Sequence, residues 1–177
     1  EVMYLSPYRK EGMETNVNSI NPVLRETVHP MNPNTAFKVK AKTYDIGNKV
    51  MCMRNTHFAQ NGEIGYIVDK EDTEIYVQFS EGVKVLSYDD FDDIDLAYAT
   101  TIHKSQGSEW ECVILNLENA HHIMLQRRLV YTAITRAKSK VIIIGNKNAF
   151  HRAVRDFNRE ERNTFLSKYI QEEAKNW

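Results

Sequence analysis

The spacing of hydrophobic and polar positions differs between segments of this chain. Residues 2–5 and 141–144 are apolar runs typical of buried strands, and the second run is rich in β-branched residues. The segments 15–25 and 127–138 carry apolar residues at helical spacing, although Pro22 limits how long the first helix can run. This alternation predicts an α/β fold in which 141–144 is a central strand covered on both faces.

The middle of the chain, from Asp45 to Asp90, has the pattern of short strands only. Turn signals such as Asn61-Gly62 separate segments of β-branched and aromatic residues, which favours a small antiparallel barrel. The α/β pattern resumes after this region. We therefore predict a barrel insertion at 43–90 within a domain made of 1–42 and 91–177.

The tail, residues 149–169, places apolar residues between charged ones. This spacing predicts a pair of amphipathic helices that pack on the sheet.

Composition narrows the possible classes of protein. The chain has 177 residues, of which 42% are hydrophobic, so it can bury a core without disulfides or metals. Its net charge of -1 excludes a strongly basic nucleic-acid wrapper but allows a local basic groove. No apolar run approaches the roughly 20 residues of a membrane span. With Cys52 and Cys112 read as buried reduced thiols, we expect a cytoplasmic protein, and the start at Glu1 favours a fragment of a longer chain.

One stretch, residues 95–117, has the layout of a site that holds phosphates or nucleic acid. It reads DLAYATTIHKSQGSEWECVILNL, which predicts a strand, a very short helix, a glycine stop at Gly107 and a second strand. A helix this short has little stability of its own. We expect it to orient His103 and Gln106, which share a face, and to expose backbone N–H groups as an anion site after Thr101.

Single residues in this region each allow a structural reading beside a functional one. Arg136 lies near the end of an otherwise apolar helix, where it needs an anionic partner or is favoured by the helix dipole. His103 could contact nucleic acid or satisfy a carbonyl in the core. Glu109 could accept hydrogen bonds from a ribose or be a solvated turn residue, whereas Gln106 and Gly107 could approach a terminal phosphate.

The adjacent histidines His121 and His122 have no Cys, Asp or Glu at ligand spacing. We therefore predict that they lie at the surface and that the chain holds no metal of its own.

The motifs taken together resemble the RecD-like DNA helicases of superfamily 1. In order they are SPYR, GNKVMCMRN with NGEIG, AYATTIHKSQGSEWE, and LVYTAITRAKSKVIIIG, and the combination of TxHKxQGxE with YTAITRA is specific. The resemblance covers essentially the whole chain. It implies the second of two RecA-like motor domains, with a mostly parallel sheet, helices on both faces and an inserted Src-homology-3-like barrel.

The resemblance also implies roles for single residues. Arg136 matches the arginine finger, which stabilises charge on the transferring phosphoryl group. Arg9 matches an earlier motif and is expected to face phosphate or DNA. The implied nucleotide-binding residues are Gln106, Gly107, Glu109 and Arg9, and the implied contacts with single-stranded DNA are Thr101, His103 and Lys104.

The chain lacks the other parts of such a motor. It contains no GxxxxGK[ST] phosphate loop and no evident Asp-Glu magnesium motif. ATP and Mg²⁺ would therefore be shared with an N-terminal RecA-like domain of the same polypeptide, in a monomer, and we expect this chain alone to be inactive.

Two alternatives remain open. One is a nucleic-acid-binding or protein-interaction module on an α/β scaffold. The other is an RNA helicase or a conjugative helicase with the same motor half, because contacts with the phosphate backbone do not distinguish RNA from DNA.

Overall fold

The structure is a computed structural model that describes residues 1–9, 15–121, 124–156 and 165–174. The strands in chain order are β1 (Val2–Ser6), β2 (Phe37–Val39), β3 (Lys42–Tyr44), β4 (Lys49–Cys52), β5 (Ile64–Glu71), β6 (Glu74–Phe79), β7 (Gly82–Leu86), β8 (Ile94–Leu96), β9 (Ala99–Thr101), β10 (Trp110–Leu117) and β11 (Ala137–Gly145). The helices are α1 (Val17–Val28), α2 (Arg127–Ile134), α3 (Lys147–Arg155) and α4 (Leu166–Glu173). Within these ranges, no helix has the length and apolar character needed to cross a membrane.

A four-stranded parallel sheet has the strand order β11-β10-β1-β9. Side chains of β1 alternate between its faces. Met3 and Leu5 pack in the cluster that contains residues of α2 and α3, whereas Tyr4 packs with Val17 of α1. The predicted α/β fold, with a mostly parallel sheet and helices on both faces, is therefore confirmed.

Helix α1 is fixed to the strand that leads into the candidate site. Its N-cap, Asn16, accepts a hydrogen bond from the backbone N–H of Ser19 at 2.8 Å, and the helix continues through Pro22 to Val28. The buried side chain of Asn21 donates to the carbonyl oxygen of Ala99 at 3.0 Å and accepts from its N–H at 2.7 Å. This paired contact anchors α1 to β9.

The position of β11 differs from the prediction. Residues 141–144 were predicted to form a central strand covered on both faces, but β11 lies at the edge of the parallel sheet and pairs with β10. Ile142, Ile143 and Ile144 are 37%, 41% and 42% exposed. A β-branched run favours a strand, but it does not determine which strands lie beside it.

The antiparallel strands form a five-stranded sheet in the order β7-β6-β5-β4-β8, beside a hairpin of β2 and β3. This order is open at β7 and β8 within the fully described segment 37–96, so a closed barrel is not confirmed. The hydrophobic core of this region also includes residues outside 43–90, since Phe37, Val39, Phe91 and Ile94 belong to it. We call residues 37–96 the antiparallel unit.

Two helical predictions need correction. The helix predicted at 127–138 ends at Ile134, and residues from Ala137 onward already belong to β11. The predicted pair of tail helices packing on the sheet is confirmed for α3, whose Ala149 and Ala153 are buried in the core. The described side chains Phe165, Tyr169 and Ile170 at α4 are instead exposed, and residues 157–164 of that prediction lie outside the described residues.

Candidate nucleotide and nucleic-acid site

The segment after β9 is a hydrogen-bonded turn and not the very short helix that was predicted there. The Lys104 N–H donates to Oγ1 of Thr101 at 3.2 Å, and the Ser105 N–H donates to the Thr101 carbonyl oxygen at 3.0 Å. The Ile102 N–H donates to the Ser6 carbonyl oxygen at 3.1 Å. Thr101 therefore caps the turn as predicted. These three amides are occupied within the chain, so they do not form the predicted anion site.

Gly107 ends the turn in the left-handed conformation, with φ +89. Most side chains disfavour this conformation, so a glycine stop here confirms the prediction. A Cβ atom added at Gly107 would meet nothing within 4 Å. Within this chain the glycine therefore serves the backbone conformation, and the space beside it is open.

His103 and Gln106 are exposed and line the same cleft, so the prediction that they share a face is confirmed. The exposure of His103 contradicts the reading of it as a core histidine. The cleft has a volume of about 500 Å³ and lies between the turn and α2. Its other lining residues are Ile102, Met124, Gln126, Arg128, Leu129 and Thr132.

Arg136 is half-buried between α2 and β11, where its guanidinium contacts neutral oxygens. Nε donates to the Thr132 carbonyl oxygen at 3.3 Å, Nη1 donates to the Ser108 carbonyl oxygen at 3.2 Å, and Nη2 donates to Oγ1 of Thr135 at 3.3 Å. Among the described residues no carboxylate pairs with it. The anionic partner considered for Arg136 in the sequence analysis is therefore absent from the described part of this chain.

The contact with Ser108 brings Arg136 to the segment that follows Gly107. Trp110 strengthens this junction, because its N–H donates to the Arg136 carbonyl oxygen at 2.9 Å where β10 and β11 begin to pair. Glu109 lies between Ser108 and Trp110 and is exposed. Arg136 is therefore held against the segment 107–109, two of whose residues were predicted to bind nucleotide.

Lys104 joins the turn to the antiparallel unit. Its Nζ donates to the Met53 carbonyl oxygen at 3.0 Å and to Oδ1 of Asn61 at 3.2 Å. Burial, followed by the nearby charge of Arg9, lowers the pKa of Lys104, while Cys52 acts in the opposite direction. The ammonium is thus engaged in an internal contact.

Arg9 lies beside Lys104. Its Nη2 is 2.6 Å from Oδ2 of Asp95, its Nε donates to Oδ1 of Asn18 at 3.3 Å, and its Nη1 lies 3.9 Å from Sδ of Met53. Lys104 Nζ lies 3.8 Å from the same sulfur atom. The structure therefore groups Arg9 with a residue predicted to contact DNA, and its described hydrogen bonds do not reach the segment 106–109.

Two residues that hold Lys104 were missed by the sequence reasoning. Asn61 belongs to an Asn-Gly pair, which is first of all a turn signal, and Met53 follows a buried strand. Each is distant in sequence from Lys104, by 43 and 51 positions. A periodic pattern does not report such a contact, because it depends on how the antiparallel unit docks.

His121 is buried, so its predicted place at the surface is wrong. Its Nδ1 accepts a hydrogen bond from the Glu118 N–H at 2.9 Å, its ring lies 5.5 Å from that of Tyr8, and burial lowers its pKa. His122 lies outside the described residues, and in the described ones no group of His, Cys, Asp or Glu could hold a metal ion.

Comparisons with known sequences point to one group of proteins. Residues 96–144 match the family described as the UvrD-like helicase C-terminal domain. The ATP-dependent RecD2 DNA helicase of Deinococcus radiodurans is 39% identical over 110 residues, which cover 62% of this chain and 15% of that protein. The RecBCD enzyme subunit RecD of Buchnera aphidicola subsp. Schizaphis graminum is 28% identical over 144 residues, covering 78% of this chain and 24% of that one. This chain thus spans less than a quarter of either relative.

Solved structures show the same fold. The Pif1 helicase from Bacteroides in complex with ADP-AlF3 and ssDNA matches 99% of this chain with a TM-score of 0.59 and 13% identity, over 46% of its own length. The Pif1 helicase from Candida albicans matches 99% with a TM-score of 0.52 and 12% identity, over 50% of its length. At such low identity the likeness concerns the fold, and it confirms the RecA-like arrangement.

Proposed function

Because this chain is related in sequence and fold to the C-terminal region of RecD-like superfamily 1 helicases, we propose that it is one half of an ATP-dependent DNA helicase motor. One observation carries the proposal: Arg136 is bonded to Ser108 at 3.2 Å, at the end of the same short segment that begins with Thr101 and His103. A single element thus joins the residues proposed for the strand to those proposed for the nucleotide.

The nucleotide wall consists of Gln106, Gly107, Glu109 and Arg136. The first three are exposed, and the space beside Gly107 is open, so a ligand can approach without displacing this chain. ATP with Mg²⁺ would supply the transferable phosphoryl group and the metal. The chain lacks a phosphate loop, which we assign to an N-terminal RecA-like domain of the same polypeptide.

Arg136 supplies positive charge to that wall. A guanidinium has five N–H donors, and three hydrogen bonds to neutral oxygens leave its charge without an anionic partner among the described residues. A preorganised charge of this kind stabilises negative charge that develops on a transferring phosphoryl group. We therefore assign Arg136 the part of the arginine finger.

The residues assigned to single-stranded DNA begin at the other end of the turn. Thr101 and the exposed His103 are assigned to contacts with single-stranded DNA. The ammonium of Lys104 is bound to Met53 and Asn61, so we assign Lys104 to electrostatic attraction of the strand and to holding the turn. Arg9, expected at the nucleotide, is reassigned to this side because it lies beside Lys104.

The remaining parts of the proposal follow from the motor arrangement. Residues 1–42 and 91–177 form the motor domain, and residues 43–90 form an insertion. The hydrophobic core of this insertion also includes residues just before 43 and just after 90. We place the full protein in the cytoplasm as a monomer. Movement of this half relative to the N-terminal half, when nucleotide enters the cleft between them, displaces the bound strand.

The test uses the full-length protein with Arg136→Ala. DNA-stimulated ATP turnover is expected to fall by about 10³-fold or more, while nucleotide affinity changes only a few-fold. Arg155→Ala removes an exposed arginine at the end of α3 and serves as the matched control. Comparable turnover in the Arg136 variant would overturn the assignment, and so would a robust ATPase rate from this chain alone.

Turnover stimulated by oligothymidylate and by oligouridylate then separates the DNA helicase from the RNA helicase alternative. If Arg136→Ala and Arg155→Ala both turn over ATP like the parent protein with either nucleic acid, Arg136 has no part in turnover. The alternative of a binding module on an α/β scaffold is then favoured.

A further inference from the structure

A second cleft, of about 470 Å³, lies between α1, the β2–β3 hairpin and β8, and its lining is rich in cations. Arg9, Arg25 and Lys42 line it together with one carboxylate, that of Asp95. Both oxygens of this carboxylate are engaged, since Oδ2 is 2.6 Å from Nη2 of Arg9 and Oδ1 is 3.0 Å from Nζ of Lys42. Within the lining, one negative charge therefore faces three positive charges.

Arg25 is the least compensated of these cations. The residue is 7% exposed, and its buried Nε and Nη1 atoms have no hydrogen-bond partner. Its Nη2 lies 3.6 Å from Oε2 of the exposed Glu26, which is too long for a hydrogen bond. Buried charges in proteins are almost always paired and hydrogen-bonded, because leaving them without partners is costly. A buried guanidinium in the wall of a cationic cleft indicates an anionic ligand.

The donors present suit a phosphoryl group. A guanidinium presents a planar fork of N–H groups that matches phosphate oxygens, and an ammonium adds a point charge. Asn18, which also lines the cleft, accepts from Arg9 through Oδ1 and so keeps its amide N–H₂ as a further donor. We propose that this cleft binds a phosphoryl anion, held by Arg25 together with Arg9 and Lys42.

This cleft is separate from the cleft lined by His103 and Gln106, because the two linings have no residue in common. It does adjoin the part of the turn that is assigned to the DNA strand. Arg9 belongs to its lining and also contacts Met53, whose carbonyl oxygen holds Lys104. The anion is either a phosphate of the bound strand or a free phosphate or pyrophosphate. A phosphate of the DNA strand as the source of the anion rests on the proposed function. The anion site itself does not depend on that function.

The experiment measures the thermal unfolding midpoint of the 177-residue chain at constant ionic strength. Inorganic phosphate, pyrophosphate and a short oligothymidylate are added separately, with sodium chloride as the reference. At a tenfold excess over Kd, we expect at least one of the three to raise the Tm by about 3–6 °C. Lys42→Gln and Arg25→Met are expected to abolish this rise, whereas Lys140→Gln, which removes an exposed lysine of β11, retains it.

The arms identify the source of the anion. A rise with oligothymidylate alone assigns the site to the strand, and a rise with phosphate or pyrophosphate assigns it to a free anion. The proposal is overturned if none of the three raises the Tm, or if the rise survives in Lys42→Gln. Because Lys42 is a surface residue, this variant decides the result even if Arg25→Met fails to fold. Failure of the Arg136→Ala test would leave the anion response unchanged, so the two proposals fail separately.

Discussion

Nη1 of Arg136 donates a hydrogen bond to the carbonyl oxygen of Ser108 at 3.2 Å. This bond joins the end of α2 to the segment between Gly107 and Trp110. The guanidinium proposed to act on the nucleotide therefore also braces the backbone that would line it. Replacing it has a structural effect and a functional effect, which can be measured separately.

The structural effect appears in the stability of this chain. Arg136→Met removes three hydrogen bonds, to Thr132, Ser108 and Thr135, and leaves the half-buried acceptors without that donor. We expect the free energy of unfolding in urea to fall by about 1–3 kcal/mol. Arg136→Lys, which keeps the charge but loses the planar fork, should recover part of this loss. An unchanged urea midpoint in Arg136→Met would show that Arg136 does not brace the segment.

The contact between Lys104 and Asn61 can be tested by a double-mutant cycle. We expect Lys104→Met and Asn61→Ala to couple by about 0.5–1.5 kcal/mol in urea unfolding, because each variant removes one side of the same charge-assisted hydrogen bond. Asn34→Ala, at an exposed position between α1 and β2, provides the control cycle with Lys104→Met and should be additive. Additivity in the Asn61 cycle would mean that this bond does not fasten the turn to the antiparallel unit.

Two glycines with positive φ angles should respond differently to alanine. Gly107, with φ +89, has open space where a Cβ would lie, so Gly107→Ala carries only the backbone cost of about 1–2 kcal/mol. Gly145, with φ +104, would place a Cβ against the carbonyl oxygen of Leu117 and 3.0 Å from Oδ1 of Asn116. We expect Gly145→Ala to cost at least about 3 kcal/mol. Equal losses in thermal or urea unfolding would contradict the difference in local space.

His121 should make the stability of the protein depend on pH near neutrality. Burial lowers its pKa, so the folded protein keeps the imidazole neutral while the unfolded chain takes up a proton below about pH 6.5. Stability therefore decreases as the pH falls from 7 to 5, with a slope of at most ~1.4 kcal/mol per pH unit from this group. Urea unfolding at several pH values measures the slope.

His121→Asn is the matched variant, because its Oδ1 can accept the hydrogen bond from the Glu118 N–H without titrating. We expect it to flatten the profile between pH 5 and 7. Against the effect of burial, hydrogen bonds lower the pKa of Asp45, Glu63 and Asp90, so these carboxylates lose their contribution only at more acidic pH. A slope that persists between pH 5 and 7 in His121→Asn would assign the dependence to another group.

The fold was predictable as far as local pattern determines it. The strands at 2–5 and 141–144, the antiparallel strands and the α/β class all follow from apolar periodicity. The order of the strands does not, because it depends on long-range pairing. Ile143 looked like a core residue by composition, yet it lies at a sheet edge and is 41% exposed. A helix was likewise predicted to continue to Lys138, which belongs to β11.

The two ends of the segment 101–107 could be predicted from the sequence, whereas the residues that surround this segment could not. Thr101 as a cap and Gly107 as a left-handed stop follow from local backbone chemistry. The partners of Lys104 and Arg9 come from positions 43 and 86 residues away, and no local rule connects them. Arg25 gave no sequence signal either, because its unusual feature is burial without hydrogen bonds.

The place of β1 between β9 and β10 has a consequence for how the chain folds. Both partners of β1 follow the antiparallel unit, whose hairpins join strands that are adjacent in sequence. Local hairpins form faster than distant pairs, because closing a long loop costs entropy before any contact repays it. Once the antiparallel unit is compact, the ends it separates are already near each other. Weakening its core, for example at the buried Ile75, should therefore slow the assembly of a parallel sheet that Ile75 does not belong to.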